Sequence, residues 1–362
     1  MGRIDTILVT GDFLRMGVNG GSSQNGNIRW LFHLVRPALE LLTALKVSPL
    51  CFEGDDGCIG RKIFKANMWE PNFDAWVRLY DKDPSARELA IFFEQFANSF
   101  VIAFELPELV RKAFDRLDIP YVDFTIHPAR FLDDLVFGVR SNLSGLGRAL
   151  DSWIVFEEEI HVAAGMAMAS LSKLPPIRAC NDGEDIALFA GQTADDKVLI
   201  RNGALMQAAE FMDGFAALSA RHAKILVKPH PYAKQNPVIL ALTRLLPNTE
   251  LVDNNFYHLL AQAAVTHVYS LTSSTSIEAA YFGKVGSHLS RYPYAFSDSN
   301  AANGHFLSIR PELYNPAFWS AILGLIDVPL HKVRPISFPP DRSRMRRSLR
   351  NFWGADIFEV SV

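Results

Sequence analysis

The tetrapeptide Lys228-Pro229-His230-Pro231 follows directly on the apolar run Ile225-Leu226-Val227. A lysine and a histidine at the end of a buried strand suit an anion. The ammonium supplies a point charge, and the imidazole donates a hydrogen bond whether neutral or protonated. The flanking prolines restrict the backbone on both sides of His230, which suggests a fixed side-chain direction. Further along comes Ser270-Leu271-Thr272-Ser273-Ser274-Thr275-Ser276-Ile277-Glu278, a hydroxyl-rich turn opening a helix. Amides of a first helical turn lack intrahelical partners and the dipole is positive there, so Ser273 and Ser274 with those amides suit a phosphate. Plain capping would need only one hydroxyl. Glu278, one turn in, is placed to reach a ribose diol; its plainer role is to complement the dipole.

A third cluster is Gln192-Thr193-Ala194-Asp195-Asp196. One carboxylate would cap a helix starting at Lys197, and one at a ligand edge would serve as nucleophile or base. The N-terminal half has a comparable group in Asp123, His127, Arg130, Asp133 and Asp134. Arg130 would meet an anionic substrate group, or else form a surface ion pair worth little. Near the C-terminus Arg342, Arg344, Arg346, Arg347 and Arg350 make a basic run. Such a run is commonly a solvated helix face, and otherwise rests on anionic headgroups at about 1 kcal/mol per residue.

The elements that must position these groups are readable in outline. Strand patterns are expected at Ile4–Val9, Tyr121–Ile126, Ile186–Ala190, Lys224–Val227, Glu250–Val252, His267–Leu271 and Val285–Leu289. Helical spacing predicts Ile28–Leu45 with a kink or break at Pro37, then Ala86–Phe100, Pro107–Leu117 and a long stretch Asn142–Leu174. Gly203–Ala220, Pro237–Leu246, Phe256–Ala264 and Thr275–Phe282 follow. In the second half, strand-helix alternation implies a parallel sheet covered on both faces, with ligands at the carboxyl ends of its strands. Loops after Ala190, Val227 and Leu271 are three such ends, and they carry the three polar clusters.

Length and composition set the frame. At 362 residues, 49% apolar and 21% charged, two soluble domains are expected: residues 1–178, residues 179–335, and a basic tail 336–362 that packs back on the first. A formal charge of −3 argues against nucleic acid as partner. Cys51, Cys58 and Cys180 are too few for a disulfide framework and fit a reduced, cytoplasmic compartment. Carboxylates interrupt the first apolar run, no segment suits a bilayer span, and no metal-ligand spacing stands out. Val9-Thr10-Gly11-Asp12-Phe13 lacks the spaced glycines of a nicotinamide site.

Gln192 to Asp196, Lys228 to Pro231, Ser273 to Glu278 and Gly283-Lys284-Val285 together resemble the capsule-polysaccharide glycosyltransferases, nearest to bacterial β-Kdo transferases. A weaker echo lies in Ile126 to Asp134. The resemblance implies an α/β fold of GT-B type, two Rossmann-like domains facing across a cleft, with a CMP-sugar donor in the second and a saccharide acceptor, free or lipid-linked, at the first. It implies that His230, Ser273 and Ser274 hold the CMP phosphate. Asp196, or Asp195 one place earlier, would attack the anomeric carbon with retention, and Asp123 would act near the acceptor. Neither cofactor nor metal is implied. Three other readings stay open: an inverting sialyltransferase-like enzyme, a sugar-nucleotide 2-epimerase, and a non-catalytic sugar-nucleotide-binding protein. A lipid-linked acceptor would bring the basic run to the inner face of the membrane.

Overall fold

The computed structural model describes residues 3–53, 57–180, 185–234, 236–298, 305–310, 312–336, 338–339, 341 and 343–353. The first domain opens with β1 (Thr6–Gly11), β2 (Lys46–Pro49), β3 (Ser99–Phe104), β4 (Tyr121–Ile126) and β5 (Phe137–Ser141). The second holds β6 (Ile186–Ala190), a hairpin of β7 (Ile200–Arg201) and β8 (Ala204–Leu205), then β9 (Lys224–Lys228), β10 (Thr249–Leu251), β11 (Val265–Ser270) and β12 (Val285–His288). The chain then returns with β13 (Phe296–Ser297) and β14 (Phe306–Ile309).

Both sheets cover the architecture expected, two Rossmann-like domains in the GT-B manner, with one correction. The first sheet, ordered β13-β14-β5-β4-β3-β1-β2, is mixed. β5 runs antiparallel to β4, because the short connection between them carries no crossover helix. The same sheet recruits β13 and β14, so the chain is back in the first domain by Phe296 rather than at 335. Helices Pro316–Leu323 and Arg344–Trp353 complete its core, burying Phe318, Trp319, Ile322, Met345 and Leu349 beside Trp30 and Phe124. Pro175-Pro176 and the polar run Asn181 to Asp185 read in the sequence as the interdomain connection, of which residues 181–184 lie outside the described residues.

In the second domain all neighbours are parallel, in the order β10-β9-β6-β11-β12. That is the doubly wound arrangement whose order reverses between β6 and β11, which opens a crevice at their carboxyl ends. The first sheet reverses between β1 and β3. Two switch points therefore exist, one per domain, and the chain sets them facing each other. Asp81 accepts from the amides of Asn202 (2.6 Å) and Gly203 (2.8 Å), pinning the β7–β8 hairpin tip to the first domain. Positive φ at Asn202 (52°) and Gly203 (71°) makes this the Asn-Gly turn that suits a two-residue hairpin. Ile200 and Leu205 of the hairpin pack on the first-domain core.

Several local expectations are revised. Helix Asn25–Leu42 runs through Pro37 without ending, since Pro37 lies on the exposed face where water can serve the carbonyl it leaves unpaired. Helix Ala86–Phe96 stops at a turn and β3 begins at Ser99, so the predicted helix swallowed the start of a strand. The stretch Asn142–Leu174 is broken between Leu150 and Phe156, where Ile154 bridges to Ile309.

Candidate functional site

A cavity of about 480 Å³ opens at the carboxyl ends of the second sheet. Its walls bring together Lys228, His230, Ser273, Ser274 and Glu278, with Arg130 from the first domain. The size falls within the range of small-ligand sites. A second hollow of about 110 Å³, walled by Phe189, Leu199, Ile239 and Leu271 together with Gln192 and Asn236, is too small for a nucleotide.

Each polar group has a defined state. The Tyr232 amide donates to His230 Nδ1 at 3.2 Å. An amide can only donate, so the neutral ring carries its proton on Nε2 and offers it outward. Burial lowers the His230 pKa, against the opposing pull of Asp196. Burial likewise lowers Lys228. Ser274 sits at the N-cap of helix Thr275–Tyr281 yet makes no side-chain capping bond. Ser273 Oγ accepts only a long bond of 3.4 Å from the Thr275 amide. The turn itself is held from below, by Ser270 Oγ on the Ser273 amide (3.2 Å) and His288 Nε2 on the Ser273 carbonyl (2.9 Å). Both cavity serines are therefore largely uncommitted, while their neighbours carry the fold.

Glu278 is 3% exposed and reaches the same cavity. Its Oε2 accepts from the Tyr257 hydroxyl (2.6 Å) and the Arg130 amide (3.1 Å). Burial pushes its pKa up to about 7. Gly286, on β12 beside this helix, tolerates no side chain, because a Cβ would lie 1.7 Å from the Ser276 carbonyl oxygen.

Asp196 caps the short turn Lys197–Leu199, its Oδ1 accepting from the Val198 amide at 3.3 Å. The capping role foreseen for one carboxylate thus falls here, and Oδ2 stays uncommitted. Burial raises the Asp196 pKa, partly offset by the Val198 amide, Lys197 and Arg15. Its charge is felt by His230, and Arg15 and Glu105 of the first domain act on it in turn, but it is not among the residues that line the cavity. Asp195 touches the other domain through its carbonyl, which accepts from the Arg15 guanidinium at 3.4 Å.

Across the cleft lie groups that no sequence pattern singles out. Glu105 follows β3 with a left-handed backbone (φ 60°) and forms an ion pair with the buried Lys197. Burial would raise Glu105, but Lys197 and the Thr125 hydroxyl outweigh it and hold the carboxyl below its usual range. Asp12 follows β1, is 2% exposed, and accepts from Trp76 Nε1 at 3.0 Å. Burial pushes its pKa up to about 6. These two sit at the first sheet's switch point, a signal available only once strand order is known.

Other candidates turn out to be structural. Asp123 is wholly buried in β4, taken up by the Leu106 amide (3.0 Å) and by Arg140 Nε (2.9 Å) on the paired position of β5. That corrects its expected role near an acceptor: both oxygens are spent in a cross-strand ion pair. His127 is 3% exposed, accepts from the Ala129 amide through Nδ1 (3.0 Å) and meets Phe296 edge-on. Burial, reinforced by Arg130, pushes its pKa down to about 3, so the ring is neutral, and it lies outside the walls of the donor cavity. Gln192 is a strut across the switch point. Its carbonyl oxygen accepts from the Thr272 amide (3.0 Å) and its amide donates to Thr272 Oγ1 (2.9 Å). Asp134 caps helix Arg344–Trp353 through the Met345 and Arg346 amides (3.1 and 2.8 Å). In the basic run, Arg346 donates to the Arg130 and Leu132 carbonyls (2.7 and 2.9 Å) and Arg344 covers Tyr314 and Phe338. Arg347 pairs with Asp341, and Arg350 is exposed. Much of that run is internal mortar; Arg342 lies outside the described residues. No helix among the described residues is long and apolar enough to cross a membrane.

The fold and the cavity define a two-domain α/β protein of GT-B architecture with a polar site at the switch point of its second domain. No family model and no curated protein matches the chain. Among solved structures it is similar to Thermosulfurimonas dismutans KpsC, beta Kdo 2,4 transferase, at 16% identity and a TM-score of 0.37, over 86% of this chain and 89% of that one. The KpsC beta Kdo 2,7 transferase shares 13% identity with a TM-score of 0.34, over 74% and 94%. A Neisseria meningitidis UDP-GlcNAc 2-epimerase bound to UDP-GlcNAc shares 11% with a TM-score of 0.29, over 77% and 81%. Likenesses this distant say nothing of activity.

Proposed function

We propose that the protein is a glycosyltransferase whose second domain holds a nucleotide-activated sugar, and that the donor is a CMP-linked ulosonic acid of the Kdo type passed to a saccharide acceptor of a bacterial surface polysaccharide. The observation that carries this reading is the convergence of Lys228, His230, Ser273, Ser274 and Glu278 on one cavity; Asp196, outside its lining, follows the end of β6 and acts electrostatically on His230. His230 Nε2, the Lys228 ammonium and two uncommitted hydroxyls are donors suited to a phosphate, and Glu278 is an acceptor suited to a ribose diol.

In the retaining mechanism the Asp196 carboxylate attacks the anomeric carbon as the bond from that carbon to the phosphate oxygen breaks. The electron pair departs on CMP, where His230 and Lys228 meet the growing charge. The acceptor hydroxyl then displaces Asp196, and its proton passes to a first-domain carboxylate, for which Asp12 with a pKa of about 6 is poised. Asp12 also favours a second reading, inversion, in which the same base activates the acceptor for direct attack and no adduct forms.

Asp196→Asn separates the readings. Retention predicts that the variant still binds CMP, loses turnover by about 10³-fold or more, and never yields the sugar adduct that a slow donor leaves on the native protein. Turnover near the native rate would remove Asp196 from the chemistry. Isomerised donor without acceptor would instead mark an epimerase, and CMP binding without turnover by the native protein a binding module.

A further inference from the structure

At the opposite, amino-terminal edge of the second sheet, three potential ligands from distant parts of the chain meet. Asp185 immediately precedes β6, His222 follows helix Met212–Arg221, and His267 lies in β11 just after an irregularity in its pairing with β6. Such a bulge re-aims the side chains next to it. One ligand atom from each residue falls within 4.8 Å of the others. Asp185 approaches His222 Nδ1 at 3.6 Å and His267 Nδ1 at 3.7 Å, both too long for hydrogen bonds.

A second observation points to an absent ligand. The His222 side chain is 0% exposed, yet its Nδ1 has no hydrogen-bond partner. Its other nitrogen meets the Tyr269 hydroxyl at 3.1 Å. A buried ring nitrogen with no hydrogen-bond partner is costly in either tautomer, whereas a ring whose far nitrogen is held by an oxygen is oriented as metal-bound imidazoles are. The two rings lie 4.8 Å apart, so nothing packs between them. A tetrahedral zinc shell, with bonds of about 2.0–2.2 Å, has ligand-to-ligand edges of about 3.3–3.6 Å. The carboxylate lies at nearly that length from both rings, through Oδ2 to His222 and Oδ1 to His267, so a rotation of the carboxylate and a small closing of the rings would complete the shell.

The geometry points to a divalent transition-metal site, zinc first among them, formed by Asp185, His222 and His267. Two imidazoles and one carboxylate suit zinc rather than calcium or magnesium, which take oxygen shells. Asp185 is exposed, so water can fill the remaining position. Binding through His267 Nδ1 displaces the Thr266 hydroxyl now 2.8 Å from it, and that hydroxyl already also contacts Asp185. The full length of β6 separates the site from the donor cavity, which begins at Ala190. Its role is therefore structural: it fastens the start of the second domain to β11 and to the helix ahead of β9. The inference is independent of the donor reading.

The test is calorimetric titration of tag-free, chelator-stripped full-length protein with zinc alone, alongside thermal unfolding. One zinc per chain and a raised Tm are expected, with affinity falling about 10–100-fold in Asp185→Asn and in His267→Gln. No saturable zinc binding, or unchanged binding in the Asp185→Asn/His267→Gln double variant, would overturn it. Should that variant not fold, zinc-edge X-ray absorption of the loaded native protein decides: a shell with two imidazoles is expected, and fewer refutes the assignment.

Discussion

Glu278→Gln tests the electrostatics of the cavity without disturbing its shape. Both hydrogen bonds to the carboxylate, from the Tyr257 hydroxyl and the Arg130 amide, end on Oε2. A glutamine can place its carbonyl oxygen there and keep both. What it removes is the titration. Burial raises the native pKa from 4.5 to about 7, so the folded state holds this proton more tightly than the unfolded chain does. The associated stability is fully present below about pH 4.5, is lost as pH rises, and levels off above about pH 7. Integrated between about pH 5 and about pH 8, the loss is about 2–3 kcal/mol. Native protein and variant should therefore differ little in acid, and the variant should be the more stable by about that amount at mildly alkaline pH. For a unit of this size, this is roughly 5–10 °C in Tm. Urea unfolding of both proteins across the pH range measures it. Parallel stability curves would refute the claim that burial holds the Glu278 carboxyl near neutrality.

Other perturbations follow from the same structure. Asp12→Asn keeps an acceptor for Trp76 Nε1 and removes a carboxyl raised to about 6, so it should gain about 2–3 kcal/mol over the native protein between about pH 4 and about pH 8 while losing turnover. Urea unfolding and donor turnover check the two halves; unchanged turnover would remove Asp12 as base. Gln192→Ala strands the buried Thr272 amide and hydroxyl and should cost about 1–3 kcal/mol, read from the urea midpoint.

The second domain was largely legible in the sequence because its strands are short apolar runs closed by Pro, Asn or Gly, and its polar residues cluster at their carboxyl ends. Lys228, His230, Ser273, Ser274 and Glu278 were found that way, and they do line one cavity. Residues chosen by chemical type alone fared differently. Asp123 and His127 look reactive, but their partners, Arg140 and Phe296, come from β5 and β13, whose pairing no local pattern announces. Asp12 and Glu105 stayed hidden for the converse reason: single carboxylates after apolar strands become notable only when the strand order reverses between them. The β7–β8 hairpin did have a local signal, Asn202-Gly203, which the helical spacing of the following residues obscured.

Calorimetric titration of the full chain with CMP, UDP and GDP tests the central claim most directly, that the ends of β6, β9 and β11 hold a cytidine nucleotide by its phosphate. CMP should bind at least about 10-fold more tightly than the other two, and His230→Ala should weaken it by a similar factor. A preference for UDP or GDP, or CMP affinity unmoved by His230→Ala, would contradict that claim.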